Sequence, residues 1–180
     1  MTWKSFHNRG EILRAVIAAA DARRDGILPT DVDGVSETFG DEVTLLGALQ
    51  LRWHTRLAGR IERELMSQPL DLERAVVAAW VATADELPGI RAVVDHYRAE
   101  PQGVQMATAL TKSAAKERIL LAVMAGKASA QDASAARVGE RIERSARELL
   151  MPAEAGVSAD VAGADSRSGL LDRLKAALAA

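Results

Sequence analysis

Cysteine is absent from the sequence, and aromatic residues are scarce, with three Trp, two Phe and one Tyr among 180 residues. Without cysteine, disulfides, thiolate zinc sites and thiol catalysis are excluded. An excess of charge of one sign is also lacking, because 23 Lys and Arg stand against 25 Asp and Glu. The resulting formal charge of −2 provides no global field that would attract nucleic acid or an anionic membrane.

Long apolar runs are missing as well. No stretch approaches 18 uncharged apolar residues, the length at which a membrane span is considered. Residues 1–11 have no apolar core behind their basic residues, as a secretory signal would require. We therefore expect no membrane span, no signal peptide and no membrane partner, and we expect a cytoplasmic protein.

Helical periodicity dominates what is present. Alanine occupies 35 positions, and apolar residues recur every three or four positions along most of the chain, which is typical of amphipathic helices. No alternating apolar run of the kind that predicts a strand reaches five residues. The sequence therefore predicts an all-α fold, a bundle of five or six helices over residues 1–151.

Residues that cap or break helices indicate where each predicted helix begins and ends. We expect helices over about 5–24, 41–67, 71–87, 90–100, 104–125 and 129–150, with Pro88-Gly89 ending the third of them. The helix 129–150 has few large apolar residues, and its acids precede arginines by four positions, as intrahelical ion pairs prefer. It is predicted to be mostly solvated, with a thin docking seam.

Two segments read as irregular. Residues 25–40 form a long connection, expected to pack through a few apolar anchors: Ile27, Leu28, Val32, Val35 and Phe39. Residues 152–168 are rich in Ala, Gly, Ser and Asp without periodicity and are predicted to be a flexible linker. Residues 169–180 then recover a leucine pattern, which predicts a short amphipathic terminal helix.

Motifs for metals, phosphates and nucleophiles are not found. The segment 31–34 resembles part of a calcium loop, but alignment on its glycine places Pro29 and Gly40 where ligands are required. The three histidines, at positions 7, 54 and 96, lie far apart, and no two of them have the spacing of a helical ligand pair. We therefore assign no metal, no cofactor and no catalytic residue.

His54 is the one histidine with a distinctive position. At about 100° per residue it projects close to Leu57 and Ile61, on the buried side of the helix 41–67. Such a histidine is usually a hydrogen-bonded core residue, but the same position also suits a ligand or proton-transfer role in a pocket between helices.

Four arginines of the same helix form a row beside its apolar stripe: Arg52, Arg56, Arg60 and Arg63. They project within an arc of about 80°. Four guanidinium groups on one edge could bind the phosphates of a nucleic acid or nucleotide. The alternative is structural, with the arginines paired to acids of neighbouring helices such as Asp71, Glu73, Asp85 and Glu86.

The last four residues, Ala177, Leu178, Ala179 and Ala180, are similar to the end of the tag that bacteria append to stalled nascent chains for proteolysis. A degron of this kind needs a free terminal carboxylate and a flexible tether, which residues 152–168 would supply. The alternative is that the leucines of the terminal helix dock on the domain or on a partner.

Several segments together carry a resemblance to a known group of proteins. They are 3–7, 9–14, 45–54 and 83–90, which read WKSFH, RGEILR, LLGALQLRWH and TADELPGI. In these segments the chain resembles a group of small helical proteins of high-GC actinobacteria, over residues 1 to about 150. The resemblance implies a source group and a helical fold, and it transfers no site residue.

These observations favour a non-enzymatic adaptor or regulator that acts by protein–protein interaction. A homodimer through the seam of the helix 129–150 would be one form of it. The alternative, from another functional class, is a protein that binds nucleic acid or phosphate through the row of Arg52, Arg56, Arg60 and Arg63. An enzyme or ligand pocket around His54 comes third.

Overall fold

The computed structural model describes residues 3–68, 70–129 and 132–150, with side chains from residue 9 onward. Seven helices form this part of the chain: α1 (Trp3–Arg23), α2 (Val35–Phe39), α3 (Glu42–Ser67), α4 (Leu72–Glu86), α5 (Pro88–Ala99), α6 (Gly103–Met124) and α7 (Ala133–Leu150). No strand occurs in these ranges, so the predicted all-α bundle is confirmed. None of the helices within them is long and apolar enough to cross a membrane. The predicted linker 152–168 and terminal helix 169–180 lie outside these residues.

Aspartates begin three of the helices. Asp41 accepts a hydrogen bond from the backbone N–H of Thr44 at 2.7 Å, and Asp71 and Asp132 do the same for the N–H three residues on, both at 3.0 Å. Each carboxylate thereby satisfies one of the N–H groups that a helix start leaves without a partner. The third of these helices was predicted to begin at Ser129 and in fact begins after Asp132.

Proline at position 88 begins a helix and does not merely end one. α4 ends at Glu86, and Pro88 occupies the first turn of α5, where its missing N–H would have had no partner anyway. Gly89 follows and lies directly against α1. Its N–H donates to Asp21 at 2.8 Å, and a Cβ here would come within 2.3 Å of the α1 backbone.

The connection 25–40 is more ordered than predicted, because it contains α2. Three of its five expected anchors, Leu28, Val35 and Phe39, are buried, and Val32 packs partly buried against the core. The fifth was wrong: Ile27 is 44% exposed. Leu28 takes the inward position and its neighbour therefore faces out.

The helix predicted to be mostly solvated is docked along its length. α7 packs against α6 and α4 and buries Ala135, Gly139, Ile142 and Ala146, together with Glu143. The prediction was wrong because the docking face consists largely of glycine and alanine, which add little to an apolar pattern but allow close helix approach. The seam expected to support a homodimer therefore packs inside the chain.

Candidate functional site

A carboxylate lies in the middle of the bundle. Glu117 projects from α6 between the buried Leu110 and Leu121, and its side chain is 1% exposed. The indole N–H of Trp80 donates to its Oε1 at 3.0 Å, and Arg98 donates to its Oε2 at 2.9 Å. Both oxygens of this buried anion are thus engaged, as burial of a charge requires.

Arg91 completes the surroundings of this carboxylate. Its guanidinium is 7% exposed and comes within 3.6 Å of Glu117 Oε1. Its guanidinium carbon lies 4.8 Å from the centroid of the Trp53 ring and 5.7 Å from that of the Trp80 ring. The two indoles meet edge to face, with their centroids 5.6 Å apart. The arginine also binds Asp95, whose Oδ1 lies 2.5 Å from its Nη2. It is therefore held by two carboxylates and two aromatic faces, all of which favour a cation.

A second set of ion pairs continues toward the surface. Arg98 reaches Glu143 at 3.3 Å, and Arg147 binds Glu143 at 2.8 Å and both oxygens of Asp95 at 2.7 and 2.9 Å. We refer to six of these connected residues as the buried charge network: Arg91, Asp95, Arg98, Glu117, Glu143 and Arg147. Its three cations and three anions balance, and they join α5, α6 and α7. Arg118 and Glu140 continue the ion pairs outward from Glu143.

The network favours the ionised forms of Glu117 and Asp95. Burial alone would raise the pKa of Glu117, but the contact from His54 and the charges of Arg91 and Arg98 lower that pKa below its ordinary value of 4.5. Burial likewise opposes ionisation of Asp95, but the hydrogen bond from Arg147 and the charges of Arg91 and Arg147 together outweigh it and lower that pKa. These two carboxylates are therefore negatively charged at neutral pH.

His54 lies at the edge of this network. Its Nε2 is 3.5 Å from Glu117 Oε2, and its side chain is 25% exposed. The predicted location on the inner side of α3 agrees with this placement. His54 thus lies between the partly open surface and the central carboxylate. A ligand or proton-transfer role for it stays a prediction.

The four arginines of α3 divide into two pairs. Arg56 and Arg60 both bind Glu86 on α4, the latter at 3.2 Å, and the hydrogen bond from Arg56 lowers the pKa of Glu86. Arg52 and Arg63 are exposed and form no ion pair with any residue in the described ranges. The structural alternative thus accounts for half of the row, and binding of nucleic acid by the row stays a prediction.

We expect loss of the middle pair to have a small effect on stability. Replacing Arg56 and Arg60 together by glutamine should lower the free energy of unfolding by about 1 kcal/mol, because partly exposed ion pairs contribute little. The matched change of Arg52 and Arg63 should stay within about 0.5 kcal/mol. Urea denaturation of both double variants measures the difference, and equal effects would contradict the assignment of Glu86 as the shared partner.

A cleft lies beside the buried charge network. It has a volume of about 370 Å³ and is lined by α6, the end of α5 and the beginning of α7. Its floor is made of small and apolar side chains of α6, among them Ala107, Leu110 and Ala114. Guanidinium groups from all three helices reach it, and they belong to Arg98, Arg118 and Arg137. An apolar floor with convergent polar groups is typical of small-molecule sites.

Sequence reasoning missed both the network and the cleft. One signal was available for the network: Glu117 occupies a position of the α6 apolar stripe, seven residues after Leu110 and four before Leu121. A charged residue in such a stripe is buried and therefore paired. Its hydrogen-bond donors Arg98 and Trp80 lie 19 and 37 residues away, however, and no local pattern connects them.

The remaining predicted features have plain outcomes. The segment Ala177–Ala180 lies outside the described residues, and the degron stays a prediction. Within those residues no group of three or more His, Asp or Glu is arranged to hold a metal ion. Comparison with known proteins found no matching family model, no matching curated protein and no matching solved structure. The resemblance to actinobacterial proteins stays a prediction.

Proposed function

We propose that the chain is a non-enzymatic cytoplasmic adaptor or regulator, and that it binds a partner protein through the turn between α3 and α4. The observation that carries this proposal is the exposure of three large apolar side chains there. Leu70 is fully exposed, Met66 is 85% exposed and Leu72 is 38% exposed. We call these three residues the α3–α4 tip.

The α4 side of the tip contacts the chain that follows α6. Glu73, in the first turn of α4, pairs with Lys127 at 2.9 Å, which connects the tip to the chain after α6. Leu72 lies against Gly126 in the same region, where an added Cβ would be 3.2 Å from its Cδ1. These contacts hold the α4 side of the tip, and methionine adapts well to an apolar partner.

The size and shape of the tip favour one class of partner. A stable dimer interface buries roughly 800 Å² on each side, more than three side chains on a turn can supply to a second copy of themselves. A projecting apolar tip is instead complementary to a partner protein that offers an apolar groove. We therefore propose a transient complex in which Leu70 and Met66 occupy such a groove.

The test compares the tip with an equally exposed apolar residue elsewhere. Three proteins are used as bait: the wild type, the double variant Met66→Glu with Leu70→Glu, and the single variant Val104→Glu. Val104 is a suitable control because it is 84% exposed on α6. We expect a protein that wild type and Val104→Glu bind alike and that the tip variant binds at least ten times more weakly. Burial of two such side chains contributes about 1.5–3 kcal/mol each, which is enough for that factor.

Two results would contradict the proposal. One is a tip variant that retains every partner of the wild type while keeping its helical content and melting temperature. The other is a wild-type chain that sediments as a dimer while the tip variant sediments as a monomer. In that case the tip would bind a second copy of the chain. A photo-crosslinker at position 70 identifies the contacting segment in either case.

A further inference from the structure

We propose that the cleft between α5, α6 and α7 binds a small organic acid, a molecule with an apolar body and one carboxylate. The apolar body would lie on the alanine-rich floor of α6, and the carboxylate would be taken by Arg118 and Arg137. This site is separate from the α3–α4 tip and does not depend on it.

The floor of the cleft determines the apolar part of the ligand. Ala107, Ala114, Ala115 and Ala136 leave space where larger side chains would have filled it. The one hydroxyl there, that of Thr111, already donates to the carbonyl of Ala107 at 2.8 Å. A volume of about 370 Å³ is near the lower end of the range for ligand pockets, ~300–1,000 Å³, so the ligand is small.

Glu140 indicates the acidic part of the ligand. Its Oε1 lies 3.1 Å from Nη1 of Arg118, and its side chain is 43% exposed. A carboxylate of the chain itself therefore occupies the position at the arginine that a ligand carboxylate would take. Because Glu140 is close to half exposed, it can turn toward solvent at little cost when a ligand replaces it.

The neighbouring arginines make this position selective for an anion. Arg118 is fixed from behind by Glu143, whose Oε2 accepts from its Nε at 2.9 Å, so its guanidinium is oriented before any ligand arrives. Arg137 precedes Glu140 by three residues, on the same side of α7, and has no ion pair with any residue that the structure describes. A carboxylate between the two arginines would gain charge-assisted hydrogen bonds, which are the strong ones.

Three probes separate the parts of the proposal in calorimetric titrations of the full chain. Octanoate carries both the apolar body and the carboxylate, 1-octanol carries only the apolar body, and inorganic phosphate carries only the charge. We expect saturable 1:1 binding of octanoate, and at least tenfold weaker binding of the other two, since hydrogen bonds to charged groups and apolar burial are each worth a factor of that size. Equal affinity of octanol or of phosphate, or no binding of octanoate, would overturn the proposal.

Two substitutions with matched controls assign the binding to these residues. Arg137→Gln should weaken octanoate binding about tenfold, and Glu140→Gln should tighten it about threefold because the competing carboxylate is gone. Arg141→Gln and Glu148→Gln, exposed positions of the same helix, should change nothing. A tightening cannot arise from damage to the fold. Unchanged affinity in Arg137→Gln, or weaker binding in Glu140→Gln, would refute the assignment.

Discussion

We expect Glu117→Gln to lower the free energy of unfolding by about 3–5 kcal/mol, the cost of removing one partner from a buried ion pair. The amide keeps the volume of the side chain, so the loss is electrostatic. Without the carboxylate, Arg91 and Arg98 remain buried with one anion fewer, and the Trp53 and Trp80 rings offset only part of the desolvation of Arg91. In a domain of this size the melting temperature should fall by roughly 6–20 °C.

Glu148→Gln is the matched control for this change. The residue is exposed on α7, and its loss should stay within about 0.5 kcal/mol. Urea denaturation with circular dichroism detection measures both variants. A loss below 1 kcal/mol for Glu117→Gln would mean that the network relaxes around a neutral side chain, and that its charges contribute little to stability.

Acid provides a second measurement on the same variant. The folded-state pKa values of Glu117 and Asp95 are lowered from 4.5 and 3.8, so both groups contribute stability above these ordinary values and lose that contribution as the pH falls below them. Wild-type stability should therefore decrease below about pH 4.5. Glu117→Gln should show a shallower decrease, because one of the carboxylates whose pKa is lowered in the folded state is gone.

The long helices could be predicted because their signals are local. In α3 the stripe Leu49, Trp53, Leu57 and Ile61 is buried as expected, and Asp41 caps the helix from the preceding position. Apolar side chains at a spacing of three and four bury themselves on one side whatever lies opposite. Fold class and the turn between α3 and α4 followed from that.

What the sequence did not reveal depends on contacts between distant segments. α7 was misjudged because Gly139 and Ala146 bury well only where α6 and α4 come close. Glu143 and Arg147 do form the expected pair within one helix, but Arg98 and Asp95, from α5, bind them too. A charge spaced for an intrahelical pair on the surface is also spaced for a network in the interior, and only the side chains that reach α7 from α5 decide between them.

The close approach of α7 to α6 at Gly139 gives the other large effect. A Cβ on Gly139 would lie 1.7 Å from the carbonyl oxygen of Arg118 and 2.3 Å from its carbonyl carbon. Both atoms belong to the α6 backbone, and no rotamer change relieves the overlap, so the two helices have to move apart. Overpacking typically costs about 1–3 kcal/mol. Here the separation would also strain the bonds between Arg118 and Glu143, so we expect a loss of about 3 kcal/mol or more for Gly139→Ala.

Gly47→Ala is the control, because it should change stability in the opposite direction. Alanine is the better helix former by about 1 kcal/mol, and Gly47 has no atom within 4 Å of an added Cβ, so this change should stabilise the protein by about 0.5–1 kcal/mol. The same substitution thus has opposite signs at two helical positions, because steric overlap exceeds helix propensity at Gly139 and is absent at Gly47. Thermal unfolding of both variants measures the contrast. Should Gly139→Ala also stabilise the protein, α6 and α7 would not be in backbone contact. The cleft that both helices line would then not have the shape described above.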